Sequence, residues 1–146
     1  MKRVSLIGCT GSIGTQSADV IRSRGYSLTA IAANTNVAVT ERQAREFKPK
    51  IAAMFSEDAA KQLKLALADT DIKVLAGEQG VQEAAAADTD IVVNSVVGIA
   101  GLSSTIAAIK AGHTLALANK ESLVCAGDIV MNMAEANRVD ILPVDS

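Results

Sequence analysis

Short runs of strand-forming residues alternate with helical patterns along the whole chain, and turn residues mark nearly every change. Several of the strand runs are continuously apolar, which is typical of strands covered by helices on both faces. Such alternation predicts an α/β fold with a doubly wound, mostly parallel sheet of about seven strands and helices on both faces. The predicted strands are 3–7, 27–33, 51–55, 72–76, 90–93 (with an extension through 97 left open), 114–118 and 140–144. The predicted helices are 12–23, 37–47, 57–68, 77–87, 102–112 and 120–137.

Composition limits the classes of protein to which the chain can belong. The 146 residues suffice for one domain, and because only 2% are aromatic the core must be aliphatic. A net charge of −2 without any cluster of basic residues argues against nucleic-acid and anionic membrane partners. No run reaches the roughly 18–20 apolar residues of a membrane span. Two distant cysteines, Cys9 and Cys125, form neither a disulfide framework nor a metal knuckle, so we expect a cytoplasmic protein in which both are small apolar fillers.

The glycine-rich stretch Gly8-Cys9-Thr10-Gly11-Ser12-Ile13-Gly14 joins the first strand to the first helix. Glycines let the backbone turn sharply there and let a phosphate approach main-chain N–H groups at a helix N-terminus. The spacing is Gly-x-x-Gly-x-x-Gly, so the loop indicates a dinucleotide site only together with its strand–loop–helix context. In the helix that follows, the spacing of Ile13, Ser17, Val20 and Ile21 predicts one stripe packed on the sheet.

Asn34, Thr35 and Asn36 follow the second strand, where NAD-selective sites usually carry an acidic residue that binds the ribose 2′-hydroxyl. Amide and hydroxyl groups tolerate a 2′-phosphate that a carboxylate would repel, so the sequence favours NADP, with Arg42 as one cationic partner. The alternative is that these residues only form a turn and cap a helix.

Further polar or glycine-rich clusters follow the fifth, sixth and seventh strands, at 94–101, 119–122 and 145–146. Ligands of open α/β sheets bind outside the carboxyl ends of the strands. Lys120 therefore becomes a candidate for a substrate phosphate or hydroxyl, although a lysine is more often a solvated surface residue. Asp145 alone cannot make a metal site, and the residues by themselves favour a turn residue after a strand. His113 is expected to be a polar residue at a helix end.

Four segments together closely resemble the amino-terminal part of the 1-deoxy-D-xylulose 5-phosphate reductoisomerase family, and the resemblance covers the whole chain. They are Gly8–Gly14, Val97-Gly98-Ile99-Ala100-Gly101-Leu102, Leu117-Ala118-Asn119-Lys120-Glu121-Ser122-Leu123-Val124 and Leu142-Pro143-Val144-Asp145-Ser146. The last two are specific to the family. The resemblance implies an NADPH-dependent enzyme that isomerises and reduces 1-deoxy-D-xylulose 5-phosphate to 2-C-methyl-D-erythritol 4-phosphate for isoprenoid synthesis, with Mg²⁺ or Mn²⁺ holding the substrate.

Matched position by position, the resemblance also implies roles for individual residues. Cofactor-binding residues would be Thr10, Gly11, Ser12, Ile13, Asn34, Thr35, Asn36, Asn119 and Glu121; Lys120 and Ser146 would bind the phosphorylated sugar, and Asp145 would bind the metal. The chain departs from the family at Asn34 and Thr35, where members often carry glycine and a basic residue.

The family pattern continues beyond Ser146 with a glutamate that is the next metal ligand. We therefore expect residues 1–146 to be the dinucleotide-binding domain of a homodimeric enzyme, inactive without the catalytic and carboxy-terminal helical domains. Two rival hypotheses are a stand-alone NADP-binding or sensing module and another oxidoreductase on the same fold, such as a semialdehyde dehydrogenase or a dinucleotide-dependent epimerase. The motifs at 119–122 and 143–146 weigh against the second rival.

Overall fold

The computed structural model describes residues 2–118 and 120–143, without the side chains of 120–126 and 143. In that part of the chain one parallel sheet contains seven strands in the order β4-β3-β2-β1-β5-β6-β7. The strands are β1 (Arg3–Ile7), β2 (Ser27–Ala33), β3 (Ile51–Met54), β4 (Lys73–Ala76), β5 (Ile91–Asn94), β6 (Thr114–Leu117) and β7 (Ile141–Pro143). The predicted fold class is confirmed.

Six helices join these strands within the described residues: α1 (Ser12–Arg24), α2 (Val37–Phe47), α3 (Glu57–Ala66), α4 (Gly77–Ala86), α5 (Gly98–Lys110) and α6 (Lys120–Ala136). The predicted end of the second helix before Pro49 is confirmed, with Lys48 as its left-handed C-cap residue. The prediction for α5 was wrong at its start, because the helix begins at Gly98, one turn before Leu102.

The order of the strands places a topological switch point beside β1. From β1 the chain builds outwards through β2 and β3 to β4, and α4 then returns it to β5, on the other side of β1. The register pairs Ile7 with Ala32 of β2 on one side and with Asn94 of β5 on the other. The loops that follow β1 and β5 therefore start next to each other, where open α/β sheets bind their ligands.

Two aliphatic cores lie on opposite faces of the sheet. Leu6 packs into the core beneath α1, α2 and α3, whereas its neighbour Ile7 packs into the core that α4, α5 and α6 cover. This alternation follows from the two-residue period of a strand. Burying each large aliphatic side chain contributes about 1.5–3 kcal/mol. Many remaining core positions are alanine, which lets the helices lie close to the strands.

The predicted apolar stripe of α1 was partly wrong. Val20 is 55% exposed, and the residues of α1 that are buried are Gly14, Ala18 and Ile21. Because small residues allow the closest approach, α1 turns Gly14 and Ala18 towards the sheet and leaves the larger Val20 in solvent. An apolar period therefore did not predict which residues of this helix would be closest to the sheet.

Candidate dinucleotide-binding site

The glycine-rich loop begins with a sharp turn at Gly8. Gly8 has a φ of 92°, a left-handed conformation that side chains disfavour. The N–H groups of Gly8 and Cys9 both donate to the carbonyl oxygen of Ala32 in β2, at 2.8 and 2.9 Å. These two hydrogen bonds hold the start of the loop against the neighbouring strand, so the rest of the loop leads directly into α1.

Gly14 lies where α1 comes closest to the loop. A Cβ atom at this position would lie 2.0 Å from the Gly8 carbonyl oxygen and 2.7 Å from the Cys9 carbonyl carbon. Neither backbone atom can move far, because the loop is hydrogen-bonded to β2. Only glycine therefore allows the first turn of α1 to pack on the loop, which is one of the roles expected of glycines in a dinucleotide-binding turn.

The N-terminus of α1 presents main-chain donors without a protein acceptor. Its N-cap residue, Gly11, supplies no side-chain cap, whereas Asn36 caps α2 and Ser56 caps α3 through side-chain oxygens. Among the described residues, nothing accepts a hydrogen bond from the N–H groups of Ser12 and Ile13. These donors, with the positive end of the helix dipole, form a site suited to an anionic group such as a phosphate.

Ser95, in the loop after β5, supports the glycine-rich loop from the other side of the switch point. Its hydroxyl lies 3.1 Å from the carbonyl oxygens of both Ile7 and Gly8, to which it can donate. The preceding residue, Asn94, is fully buried and was predicted only as part of a ligand-facing cluster. Its side chain donates to the Gly101 carbonyl oxygen and the Thr105 hydroxyl at 2.8 and 2.9 Å.

The hydrogen bonds of Asn94 also explain how β5 ends. Its Oδ1 accepts a hydrogen bond from the Val96 N–H at 3.1 Å, which turns the chain out of the sheet. The extension of the strand through Val97 is therefore absent, and α5 starts at Gly98 instead. Asn94 joins β5 to α5 and does not face a ligand.

Gln43 of α2 also contacts the glycine-rich loop, and sequence reasoning did not identify it. Its Nε2 donates to the Cys9 carbonyl oxygen at 2.9 Å, and the side chain is buried. No local pattern predicts a contact across 34 residues. The one signal of this contact in the sequence was that a glutamine lies on the buried side of the helix that follows the second strand.

Asn34, Thr35 and Asn36 are exposed in the loop between β2 and α2, at the same edge of the sheet as the glycine-rich loop. The Asn36 side chain caps α2 by accepting a hydrogen bond from the Val39 N–H at 3.1 Å. This confirms the capping role that the sequence left open as an alternative. The side chains of Asn34 and Thr35 have no hydrogen-bond partner within the described part of the chain, and neither does that of the exposed Arg42.

The remaining predicted site residues follow β6 and β7. Lys120 and Glu121 lie in the first turn of α6, but their side chains are outside the described part of the structure. Asn119, Asp145 and Ser146 lie outside the described residues altogether. For these five positions the structure shows only where the preceding strands end. Both β6 and β7 end at the same edge of the sheet as β1.

The other chemically notable groups of the described residues do not form a second reactive site. Burial raises the pKa of the Cys9 thiol to about 12, and the neighbouring Thr40 side chain offsets only part of that rise. His113 lies beyond the end of α5 with its Nε2 3.2 Å from the Ala86 carbonyl oxygen, consistent with the predicted structural role. Residues 2–118 and 120–143 contain no group of three or more metal-binding side chains and no helix able to cross a bilayer.

A groove of about 540 Å³ lies at the opposite edge of the sheet from the glycine-rich loop. Its walls include Arg45, Lys48, Lys50 and Asp71, from the end of α2 and the starts of β3 and β4. Arg45 is paired with Asp69 at 2.8 and 3.0 Å. Because ligands of this fold bind at the carboxyl ends of the strands, size alone does not make this groove the functional site.

The switch point, the glycine-rich loop and the uncapped α1 define a Rossmann-type domain of the class that binds dinucleotides. Residues 4–127 match the family model of 1-deoxy-D-xylulose 5-phosphate reductoisomerase, and the chain belongs to this family. The reductoisomerase of Agathobacter rectalis is 50% identical over 148 residues, covering 100% of this chain and 39% of the relative. The chain therefore spans about two fifths of the length of that relative.

Solved structures give the same result for the fold. The reductoisomerase from Zymomonas mobilis in complex with NADPH has a TM-score of 0.95 and 37% identity, covering 99% of this chain and 39% of that one. A DOX-P reductoisomerase in complex with NADPH, fosmidomycin and magnesium has a TM-score of 0.92 and 38% identity, covering 98% of this chain and 36% of that one. This chain thus corresponds to a minor part of each of these proteins.

Proposed function

We propose that the full-length protein is an NADPH-dependent reductoisomerase and that residues 1–146 are its dinucleotide-binding domain. Its reaction would isomerise and reduce 1-deoxy-D-xylulose 5-phosphate to 2-C-methyl-D-erythritol 4-phosphate in isoprenoid biosynthesis. Membership of the family supports this activity, and the NADPH of two solved relatives supports the cofactor. Since those relatives are much longer, the catalytic and carboxy-terminal helical domains would be contributed by other parts of the protein.

The uncapped N-terminus of α1 carries the proposal for the cofactor site. The N–H groups of Ser12 and Ile13, which have no acceptor among the described residues, fit a diphosphate, while Gly8 lets the loop turn beside Ser95 and Gly14 lets α1 pack closely on the loop. Thr10, Gly11, Ser12 and Ile13 would therefore hold the cofactor's phosphates. When bound, NADPH supplies the hydride for the reduction. The chain's own contribution here is to bind and orient the cofactor.

Asn34, Thr35 and Asn36 would lie beside the adenosine ribose and its 2′-phosphate. No carboxylate occurs among these three residues, and their exposed positions follow the end of β2. Asn36 already caps α2 with its Oδ1, which leaves its amide N–H groups as donors. Arg42, exposed on α2 without a partner among the described residues, is the nearest cation along the chain.

The residues that follow β6 and β7 would complete the site on the substrate side. Asn119 and Glu121 would contact the cofactor, Lys120 and Ser146 the phosphorylated sugar, and Asp145 a divalent cation, Mg²⁺ or Mn²⁺. The magnesium and fosmidomycin of a solved relative support the metal and the anionic ligand. We propose a cytoplasmic protein without nucleic-acid or membrane partners, for which the net charge of −2 and the two distant cysteines are the support. That the full-length protein is a homodimer is proposed from the family resemblance alone.

A pair of substitutions at Ser12 tests the cofactor site directly. Ser12 is the first helical residue of α1, where proline is tolerated, and the preceding Gly11 already has the extended backbone that proline requires. Ser12→Pro therefore removes one free N–H while α1 stays intact, whereas Ser12→Ala removes the hydroxyl and keeps the N–H. We expect Ser12→Pro to weaken NADPH binding about tenfold and Ser12→Ala to weaken it less.

Fluorescence titration of NADPH into both variants and the wild-type chain measures this difference. Circular dichroism serves as the control for folding. Equal affinities of the two variants would exclude the Ser12 N–H as a phosphate donor.

Separately, the 146-residue chain should show background turnover with 1-deoxy-D-xylulose 5-phosphate, NADPH and Mn²⁺, whereas the full-length protein should turn over. Clear turnover by the shorter chain would contradict the assignment of residues 1–146 as a cofactor-binding domain only.

A further inference from the structure

Gln43 joins α2 to the glycine-rich loop through a buried hydrogen bond. Its Nε2 donates to the Cys9 carbonyl oxygen at 2.9 Å, and the residue is only 6% exposed. Its Oε1 is buried without a hydrogen-bond partner among the described residues. A buried amide that leaves one of its polar atoms unpaired is unfavourable, and the hydrogen bond from Nε2 to Cys9 offsets part of that cost.

The peptide bond between Cys9 and Thr10 relates the hydrogen bond of Gln43 to the direction of the Thr10 N–H group. A trans peptide unit is planar, and its C=O and N–H groups point in opposite directions. Because Gln43 holds the Cys9 carbonyl oxygen towards α2, the Thr10 N–H must point away from α2. No described residue accepts a hydrogen bond from that N–H. The hydrogen bond from Gln43, on the α2 side of the glycine-rich loop, thus fixes the direction of the Thr10 N–H on the other side.

Thr40 of α2 is a second buried neighbour of the Cys9 side chain. Its hydroxyl donates to the Asn36 carbonyl oxygen at 2.7 Å, and its proximity opposes part of the rise in the pKa of the Cys9 thiol. Thr40 is completely buried. Cys9 is therefore held by α2 through its carbonyl group, and the N-cap residue of α2, Asn36, lies in the loop proposed for the 2′-phosphate.

We infer that Gln43 is a positioning residue for cofactor binding, which orients the Thr10 N–H towards the cofactor's diphosphate by fixing the Cys9 carbonyl group. This inference rests on the proposed function, because it requires a dinucleotide at the glycine-rich loop. Gln43 itself does not contact the ligand. It acts from the opposite side of the loop and makes the diphosphate site depend on the placement of α2.

Three ligands separate this role from a general loss of structure. In Gln43→Met the side chain keeps its size but loses the donor, and we expect both NADPH and NADH to bind about tenfold more weakly. In Gln43→Glu a carboxylate oxygen faces the Cys9 carbonyl oxygen, so the loss should be larger. Adenosine 2′-monophosphate has no diphosphate, and its affinity should stay within twofold of that of the wild-type chain.

Two control variants calibrate these titrations. Gln62→Met makes the same substitution at an exposed position of α3, and Leu115→Ala creates a cavity in the core on the other face of the sheet, which does not include Cys9. Both should bind all three ligands like the wild-type chain at temperatures where they are folded. A parallel loss of adenosine 2′-monophosphate and NADPH in Gln43→Met would overturn the inference, as would unchanged affinity for NADPH and NADH.

Amide hydrogen exchange provides a readout that needs no cofactor. The Cys9 N–H is bonded to the Ala32 carbonyl oxygen, so we expect Gln43→Met to raise its exchange rate about tenfold, with no such change in Gln62→Met. Wild-type exchange at Cys9 in Gln43→Met overturns the positioning role whether or not NADPH binds. If the wild-type chain binds no NADPH at all, the proposed function fails, and faster exchange at Cys9 would still show that Gln43 holds the loop.

Discussion

The hydroxyl of Ser95 lies 3.1 Å from the Gly8 carbonyl oxygen, and a Cβ atom at Gly8 would lie 2.5 Å from the same hydroxyl oxygen. The two residues come from loops at the ends of adjacent strands, 87 positions apart in the chain. Ser95 therefore supports the glycine-rich loop and also limits what can replace its first glycine. At the switch point of the sheet, the loops that follow β1 and β5 are therefore in direct contact with each other.

This contact predicts coupling between substitutions at the two residues. Gly8→Ala should destabilise the chain through both the contact and the φ of 92°, by about 2–3 kcal/mol. Ser95→Ala loses hydrogen bonds to the main chain and should lose about 1 kcal/mol. Because the smaller alanine relieves the contact, the double variant should be more stable than the sum of the single effects by at least 0.5 kcal/mol, on the order expected for residues in contact.

Urea denaturation of the four chains in this double-mutant cycle measures the coupling. Additive free energies would mean that the Ser95 hydroxyl does not limit the residue at position 8. The conformational strain at Gly8 should remain in the double variant, since it depends on φ and not on Ser95.

Gly14 and Gly127 should respond oppositely to alanine. Gly14→Ala places its Cβ 2.0 Å from a backbone oxygen, so it should lose about 3 kcal/mol of stability or fail to fold. At Gly127, inside α6, a Cβ would meet no atom of the described residues within 4 Å, and the substitution should stabilise the chain by about 0.5–1 kcal/mol. Thermal unfolding followed by circular dichroism gives both values, and a stabilised Gly14→Ala chain would contradict the close approach of α1.

Two substitutions at Asn36 separate helix capping from cofactor selection. Asn36→Asp keeps an oxygen that can accept from the Val39 N–H, so stability should hold, but its charge should repel a 2′-phosphate. We expect NADPH to bind about tenfold more weakly to this variant while NADH is unaffected. Asn36→Ala should instead lose about 1 kcal/mol of stability. Titrations with both cofactors decide between the roles: equal losses for NADPH and NADH in Asn36→Asp would leave capping as the sole role of Asn36.

Cys9 should make the stability of the chain depend on alkaline pH. Its folded-state pKa of about 12 lies above the ordinary thiol pKa of 9.0 because burial disfavours the thiolate. Because the folded state keeps the thiol neutral, the contribution of Cys9 to stability is fully present below pH 9. This contribution is lost as the pH rises from 9 towards 12. At pH 10.5 the unfolded state gains about 2 kcal/mol relative to the folded state from this group.

Cys9→Ala removes this pH-dependent contribution. The difference in unfolding free energy between the wild-type and Cys9→Ala chains should be constant between pH 7 and 8 and should fall by about 2 kcal/mol at pH 10.5. Urea denaturation at these pH values measures it, and other titrating groups cancel in the difference. A difference that does not change with pH would contradict the burial of the thiol.

The sequence allowed the order of strands and helices to be predicted because each strand is an apolar run bounded by turn residues. The start of the ligand site was also predictable, since the glycine-rich loop lies within a strand–loop–helix unit. What could not be predicted depends on contacts between distant residues. Gln43 and Ser95 meet the loop only after folding, and Asn94 ends β5 by bonding to residues of a helix that had not yet been placed.

The central position of β1 has a consequence for the order of assembly during synthesis. Arg3 of β1 pairs with Asp90, just before β5, at 3.2 Å across 87 residues, so the middle of the sheet closes only after more than half of the chain exists. Contacts this distant in sequence slow folding. A ribosome-bound chain that ends before β5 leaves one side of β1 unpaired and the glycine-rich loop without Ser95. The first ligand-binding element to be translated thus acquires its final shape only after the chain has been translated as far as Ser95.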